Sequence, residues 1–66
     1  MNINYNVHTD LLYIRLDDKK QPVVNHRVTD YIVLDIGKDN KIIGIEILNA
    51  SRNVNLGKIL PVNIVQ

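Results

Sequence analysis

Apolar and polar residues alternate with a period of two over most of residues 2–48. That period belongs to β-strands with one apolar face, because successive side chains of a strand point to opposite sides. The clearest stretch is 31–51, YIVLDIGKDNKIIGIEILNAS. Ile32, Leu34 and Ile36 share one face, with Tyr31, Val33 and Asp35 on the other. In the next run Ile43, Ile45 and Ile47 share a face, opposite Ile42, Gly44, Glu46 and Leu48. Gly37-Lys38-Asp39-Asn40 separates the runs, and Asp and Asn tolerate the positive φ of a tight turn. A two-residue loop at 39–40 sets Leu34 opposite Ile45, and a four-residue loop at 37–40 sets it opposite Ile43. Either register keeps the apolar set on one face; a one-residue slip does not.

The same reading extends along the chain. Residues 2–7 alternate Ile3, Tyr5 and Val7 against Asn2, Asn4 and Asn6. After His8-Thr9-Asp10 the run 11–16 places Leu12, Ile14 and Leu16 on the core face and Leu11, Tyr13 and Arg15 opposite. A loop of residues 7–10 pairs Tyr5 with Leu12 and Ile3 with Ile14, with Thr9 and Asp10 closing it through side-chain hydrogen bonds. The polar DDKKQP segment, 17–22, is a loop. Residues 23–28 form a strand with Val24, His26 and Val28 on one side, and Pro22 at its start suits a strand end or edge. Thr29-Asp30 turns the chain back.

After Leu48 the alternation stops. Residues 51–56 suit one or two helical turns ended by Gly57, although Asn53 and Asn55 are poor helix formers. Residues 58–65 are apolar but contain Pro61, which points to an edge strand or an arm on a neighbouring subunit. The expectation is a single domain over residues 1–66, mainly β, or α+β if the helix forms. It has an antiparallel sheet of about five strands (2–7, 11–16, 23–28, 31–36 and 41–48) built from two hairpins, with a short C-terminal helix or arm. That helix or arm should pack over the core face through Val54, Leu56, Ile59 and Leu60.

Composition narrows the function classes. A 66-residue chain buries little surface and needs a supplement, and the absence of cysteine removes disulfides and thiolate metal sites. Oligomerisation is what is left. Eight Lys/Arg against seven Asp/Glu, scattered, make no basic stripe, so direct nucleic-acid binding is not expected. The N-terminal residues lack the charged and apolar regions of a signal peptide, and no apolar run reaches the length of a membrane span. The expectation is a cytoplasmic protein, not a membrane one.

Certain residues carry a resemblance. Tyr5-Asn6, Asp10-Leu11-Leu12-Tyr13-Ile14, Asp35, Gly44-Ile45-Glu46-Ile47-Leu48 and Ala50-Ser51 together resemble the YuzE-like small bacterial and archaeal proteins, the DUF2283 domain of unknown function. The family pattern runs Tyr-Asp, Asp-x-Leu-Tyr-Ile, an acidic-Gly turn, then Gly-Ile-Glu-Ile-Leu-x-Ala-Ser. Here Asn6 and Asn49 stand where Asp is common, Gly37 where the turn often has Asp, and Asn40 where it often has Gly. The lost carboxylates weigh against a metal site. The resemblance implies a small β-rich fold without an assigned activity, and some members are suspected toxin–antitoxin components.

The second face gathers the candidate chemistry. With a two-residue turn at 29–30, His26 lies opposite Val33 and Val24 opposite Asp35, so His26, Tyr31, Asp35 and Glu46 share a face. In the four-residue-loop register of the other hairpin, Tyr31 faces Glu46. An enzyme reading makes His26 and Glu46 an acid–base pair, or His26, Asp35 and Glu46 a metal or ligand site in a small hydrolase. The structural reading has Glu46 accept a hydrogen bond from Tyr31 or a backbone amide at a subunit contact. Ser51, the one serine, sits where a cap would, with no base beside it. Gly44 inside a strand marks a close approach, with Tyr13 or Tyr31 the aromatic that could lie over it. No catalytic, cofactor or metal residue is assigned. Tyr13, His26, Tyr31, Asp35, Gly44 and Glu46 are the interface or functional candidates. The function expected is a homodimeric protein–protein interaction module, antitoxin-like, with a small protein as a further partner and no cofactor. The dimer contact is expected on the second face, through Val24, Val28, Tyr31, Val33, Ile42 and Leu48.

Overall fold

The computed structural model describes residues 2–59 and 63–65. The strands are β1 (Asn2–Asn6), β2 (Leu11–Arg15), β3 (Val24–Arg27), β4 (Ile32–Ile36), β5 (Ile42–Ile47) and β6 (Asn63–Val65). A four-residue helix α1, Ala50–Asn53, follows β5. All six strands form one sheet in the order β3-β4-β5-β2-β1-β6. The first five pair antiparallel, and β6 runs parallel to β1. The mainly β, antiparallel architecture is what the alternation predicts; it is built from the β1–β2 hairpin and a β3-β4-β5 meander, with β6 as a sixth strand. The expected edge strand within 58–65 corresponds to β6, which pairs within its own sheet; Leu60, Pro61 and Val62 lie outside the described residues.

The β1–β2 hairpin takes the expected register, with Tyr5 opposite Leu12 and Ile3 opposite Ile14. Its loop is closed differently. The Asn6 side-chain oxygen accepts the amides of His8 and Thr9, at 2.9 and 3.2 Å, and Asp10 takes a left-handed φ of 54°. An Asx turn thus makes the bend, leaving the Asp10 carboxylate free to bond elsewhere.

The β4–β5 hairpin takes the two-residue-loop register over most of its length and not the four-residue one. Leu34 lies opposite Ile45 and Asp35 opposite Gly44, as a two-residue loop would set them. Between Asp35 and Ile36 the register shifts, so that Ile36 pairs with Ile42 and Ile43 becomes the extra residue of a β-bulge. The loop itself is a 3-10 turn at Lys38–Asn40, with Asp39 and Asn40 both left-handed. The bulge carbonyl of Ile43 is satisfied by β2's extension, accepting from the amides of Leu16 (2.8 Å) and Asp17 (3.2 Å).

The β3–β4 hairpin corrects the two-residue turn expected at 29–30. His26 pairs with Leu34, Asn25 with Asp35 and Arg27 with Val33. The Val28 amide donates to the Ile32 carbonyl at 2.8 Å, so the loop holds residues 29–31. The Thr29 hydroxyl accepts the amides of Tyr31 and Ile32, both at 3.1 Å, and this turn adds the extra residue. One residue more in the loop reverses every side chain of β3. Val24 and His26 therefore lie on the core face, and Asn25 and Arg27 on the second.

The helix is shorter than 51–56. Asn53 folds its side-chain amide back onto the carbonyls of Leu48 and Asn49, and a 3-10 turn at Leu56–Lys58 follows, taking in Gly57. Asn49 precedes α1 in a left-handed conformation and offers no side-chain cap. Because β5 and β6 run in the same direction, the connection through α1 crosses one face of the sheet over β2 and β1. Burial marks that face as the one holding Tyr5 and Leu12: Leu12 and Ala50 are 0% exposed, and Val54, Leu56 and Ile59 are half-buried. Ile43 is also fully buried, whereas the other expected core residues (Ile3, Tyr5, Ile14, Ile32, Leu34, Ile36, Ile45 and Ile47) are half-buried and Leu16 is exposed.

Leu12→Ala should therefore cost about 2–5 kcal/mol of unfolding free energy, the range for emptying a sealed aliphatic site. Val7→Ala, at a side chain 43% exposed, should stay within about 0.5 kcal/mol. Chemical denaturation midpoints of the two variants check the assignment of the core.

Candidate functional site

The registers place Tyr13 of β2, Gly44 and Glu46 of β5, Val33 and Asp35 of β4, and Asn25 and Arg27 of β3 on the second face of four adjacent strands. Asp35 stands near the middle and is 7% exposed. Two neighbours take its oxygens: the Tyr13 hydroxyl donates to Oδ2 at 3.0 Å, and Asn25 Nδ2 donates to Oδ1 at 2.5 Å. The Asn25 amide also reaches Glu46 Oε2 at 3.3 Å, so one side chain bridges both carboxyl groups.

Tyr13 and Asp35 are on strands that do not touch, because β5 runs between them. The Tyr13 ring crosses β5 over Gly44. A Cβ on Gly44 would come within 2.6 Å of Tyr13 Cζ and 2.8 Å of Cε1, and closer still to the hydroxyl oxygen. The glycine is thus required for a close approach, not for its backbone angles, and Tyr13 is the aromatic that fills the space.

The electrostatics follow from two carboxyl groups held close together. Burial, then the neighbouring Asp35 carboxyl, raises Glu46 from 4.5 to about 7, with the Arg27 guanidinium opposing. Glu46 therefore keeps its proton to higher pH than an ordinary glutamate. Burial first, and then the bond to Asp35, also raises the Tyr13 hydroxyl. The assembly can hold a proton and order a phenol and an amide. Among the described residues no group of three or more His, Cys, Asp or Glu side chains is gathered to hold a metal ion.

Four of the six candidates, Tyr13, Asp35, Gly44 and Glu46, come together here. His26 does not: it lies on the opposite face, beside Leu34, which removes it from any acid–base or metal set with Glu46. Tyr31 is exposed just before β4, its carbonyl accepting the Leu48 amide at 2.7 Å, and Val33 rather than Tyr31 faces Glu46. Asn25 and Arg27 are the members that the sequence reading missed. The signal was present in their shared parity with Asp35, once the loop is given three residues.

A second cluster joins the remaining motif residues. The Tyr5 hydroxyl donates to Asp10 Oδ1 at 2.7 Å, the Ser51 amide donates to the same oxygen at 3.0 Å, and the Ser51 hydroxyl donates to Oδ2 at 2.7 Å. The Asp10 carbonyl accepts the Ala50 amide at 2.9 Å. Asp10 therefore caps α1 from across the chain. The Ser51 hydroxyl, foremost, holds the Asp10 carboxyl below its ordinary value, and the bond to Asp10 raises Tyr5.

Gly44→Ala should destabilise the fold by about 1–3 kcal/mol, the cost of forcing a methyl into packed space. Because the obstacle is the Tyr13 ring, the cost should shrink in a Tyr13→Ala background, a coupling that a double-mutant cycle measures by denaturation. Glu46 gives a pH signature. Its folded value exceeds its unfolded one, so its contribution is complete below 4.5 and is lost as pH rises through about 7. Urea midpoints should fall across that window, and Glu46→Gln should flatten the fall. Asp10 acts in the opposite sense, giving stability that is lost as pH drops below 3.8, outside the window.

Among the described residues, no helix is long and apolar enough to cross a membrane. Comparison with curated proteins and with solved structures finds no match. A family model does match, over residues 2–51, the span that holds both side-chain clusters. The chain belongs to the family described as protein of unknown function, DUF2283.

Proposed function

We propose that this protein is a homodimeric protein–protein interaction module of the cytoplasm, in which a second copy extends the apolar core face. The observation that carries the reading is the state of the core face over β4 and β5. Ile32, Leu34, Ile36, Ile45 and Ile47 lie side by side there, and none is fully buried. The crossover that seals Leu12 runs over β2 and β1. The chain exposes 4894 Å², against about 4,300 Å² for a compact monomer of its mass.

The second face fits this role less well than its sequence suggests. Val33 is buried, Val24 belongs to the other face, and a hydrogen-bonded polar cluster occupies the centre. That cluster supports a bracing role for Asp35 and Glu46, because the Asp35 oxygens are taken by internal donors. A hydrolase built on His26, Asp35 and Glu46 would need side chains from both faces of one sheet. An antitoxin-like role would use the same dimer to present a surface to a small protein partner, in keeping with the cysteine-free, nearly neutral composition.

Light scattering on the purified protein at micromolar concentration tests the reading. The expected mass is twice the 7.6 kDa of one chain. A folded, monodisperse monomer would overturn it.

A further inference from the structure

Among the described residues β3 is the sheet's unpaired edge on one side, and its four residues are all exposed. Hydrogen bonding along it alternates. Val28 donates to Ile32 across the β3–β4 ladder, so His26 and Val24 share its phase, and the amides and carbonyls of Asn25 and Arg27 point away from β4. Among the described residues these groups form a free row, on a short edge whose one charged side chain is Arg27. Pro22 lies before the strand, no lysine lies on it, and Val24 and Val28 are 70% and 52% exposed.

Resting on the dimer reading above, we propose that the second copy adds to this edge. Two β3 strands would pair antiparallel about a two-fold axis at His26, making one continuous sheet. Symmetry leaves few choices. A two-fold axis normal to a sheet pairs residues of the same face, so it must pass beside a residue rather than between two. Centred on Arg27, it would set two guanidinium groups directly opposite each other. Centred on Asn25, it would set Val24 against His26. Centred on His26, it sets Val24 opposite Val28 on the core face and Asn25 opposite Arg27 on the second. In this register the Asn25 and Arg27 amides and carbonyls of each copy bond to those of Arg27 and Asn25 of the other, which satisfies the free row. The apolar core faces of the two sheets then meet along Val24 and Val28.

This geometry makes His26 a non-hydrogen-bonded pair with itself, with Cα atoms about 4.5 Å apart. That separation lies within disulfide range, and the chain has no cysteine of its own. His26→Cys should therefore oxidise to a covalent dimer on non-reducing gels while keeping the parent's circular dichroism. Val24→Cys, on the same edge and more exposed, faces Val28 of the second copy. Its two thiols would lie four residues apart along the strands, roughly 13 Å, and should not bridge. A mixture of Val24→Cys and Val28→Cys should cross-link. Arg27→Pro provides a check independent of cysteine. It removes an outward amide and no β3–β4 bond, so it should give a folded monomer by light scattering. If the parent is a dimer while His26→Cys stays uncoupled, or Val24→Cys couples as fast, this edge is wrong and the dimer reading survives. If the parent is a monomer, both fall.

Discussion

A carboxylate is stable inside a sheet only when its oxygens are taken by donors, and Asp35 meets that condition by drawing on its neighbours. Tyr13 comes from β2, Asn25 from β3 and the Asp35 carboxyl from β4, and Glu46 of β5 is joined through the same asparagine. One buried group thus stitches four consecutive strands transversely, at right angles to the strand direction. It also explains a glycine in the middle of β5. A β2 side chain cannot reach β4 unless the strand between them leaves a lane, and any residue larger than glycine at position 44 would close it.

The parts of the fold legible in the sequence are those where two faces differ strongly. In β2, β4 and β5 the isoleucines and leucines of one parity specify the register, since any slip exposes them. The β1–β2 pairing followed from the same logic and from a loop of fixed length. β3 carried no such signal: Val24 and Val28 on one parity are balanced by Val23 on the other, so nothing but the turn fixes its phase. The turn was decided by the Thr29 hydroxyl, which captures two amides and lengthens the loop by one residue. That single residue moved His26 off the polar face and put Asn25 on it.

The second cluster was hidden for another reason. Asp10 and Ser51 are far apart in sequence, and local rules give each a local role, with Asp10 closing a turn and Ser51 capping a helix. The structure gives the turn to Asn6 and the cap to Asp10, which leaves Ser51 as a donor to that cap. Asn6 stands where the resemblance leads one to expect Asp, and its amide oxygen suffices, because an Asx turn needs an acceptor and not a charge. The bulge at Ile43 was equally beyond a pattern of alternation, which cannot show that one residue is counted twice on a strand.

The architecture leaves one physical problem open within a single chain. A one-layer sheet has two faces. This one braces the second with a polar network and covers only part of the first, over β2 and β1. The network also limits what could happen at the β3 edge. Asn25 directs its side chain inward along the second face to Asp35 and Glu46, while its backbone groups point outward from the sheet. The residue that holds β3 against β4 is therefore one of the two whose amides and carbonyls a partner strand would use. Ordering of the Asp35 cluster and pairing of the edge are coupled through that shared residue. A sheet held rigid at Asn25 presents its free row preformed, at a smaller entropic cost to whatever strand adds to it.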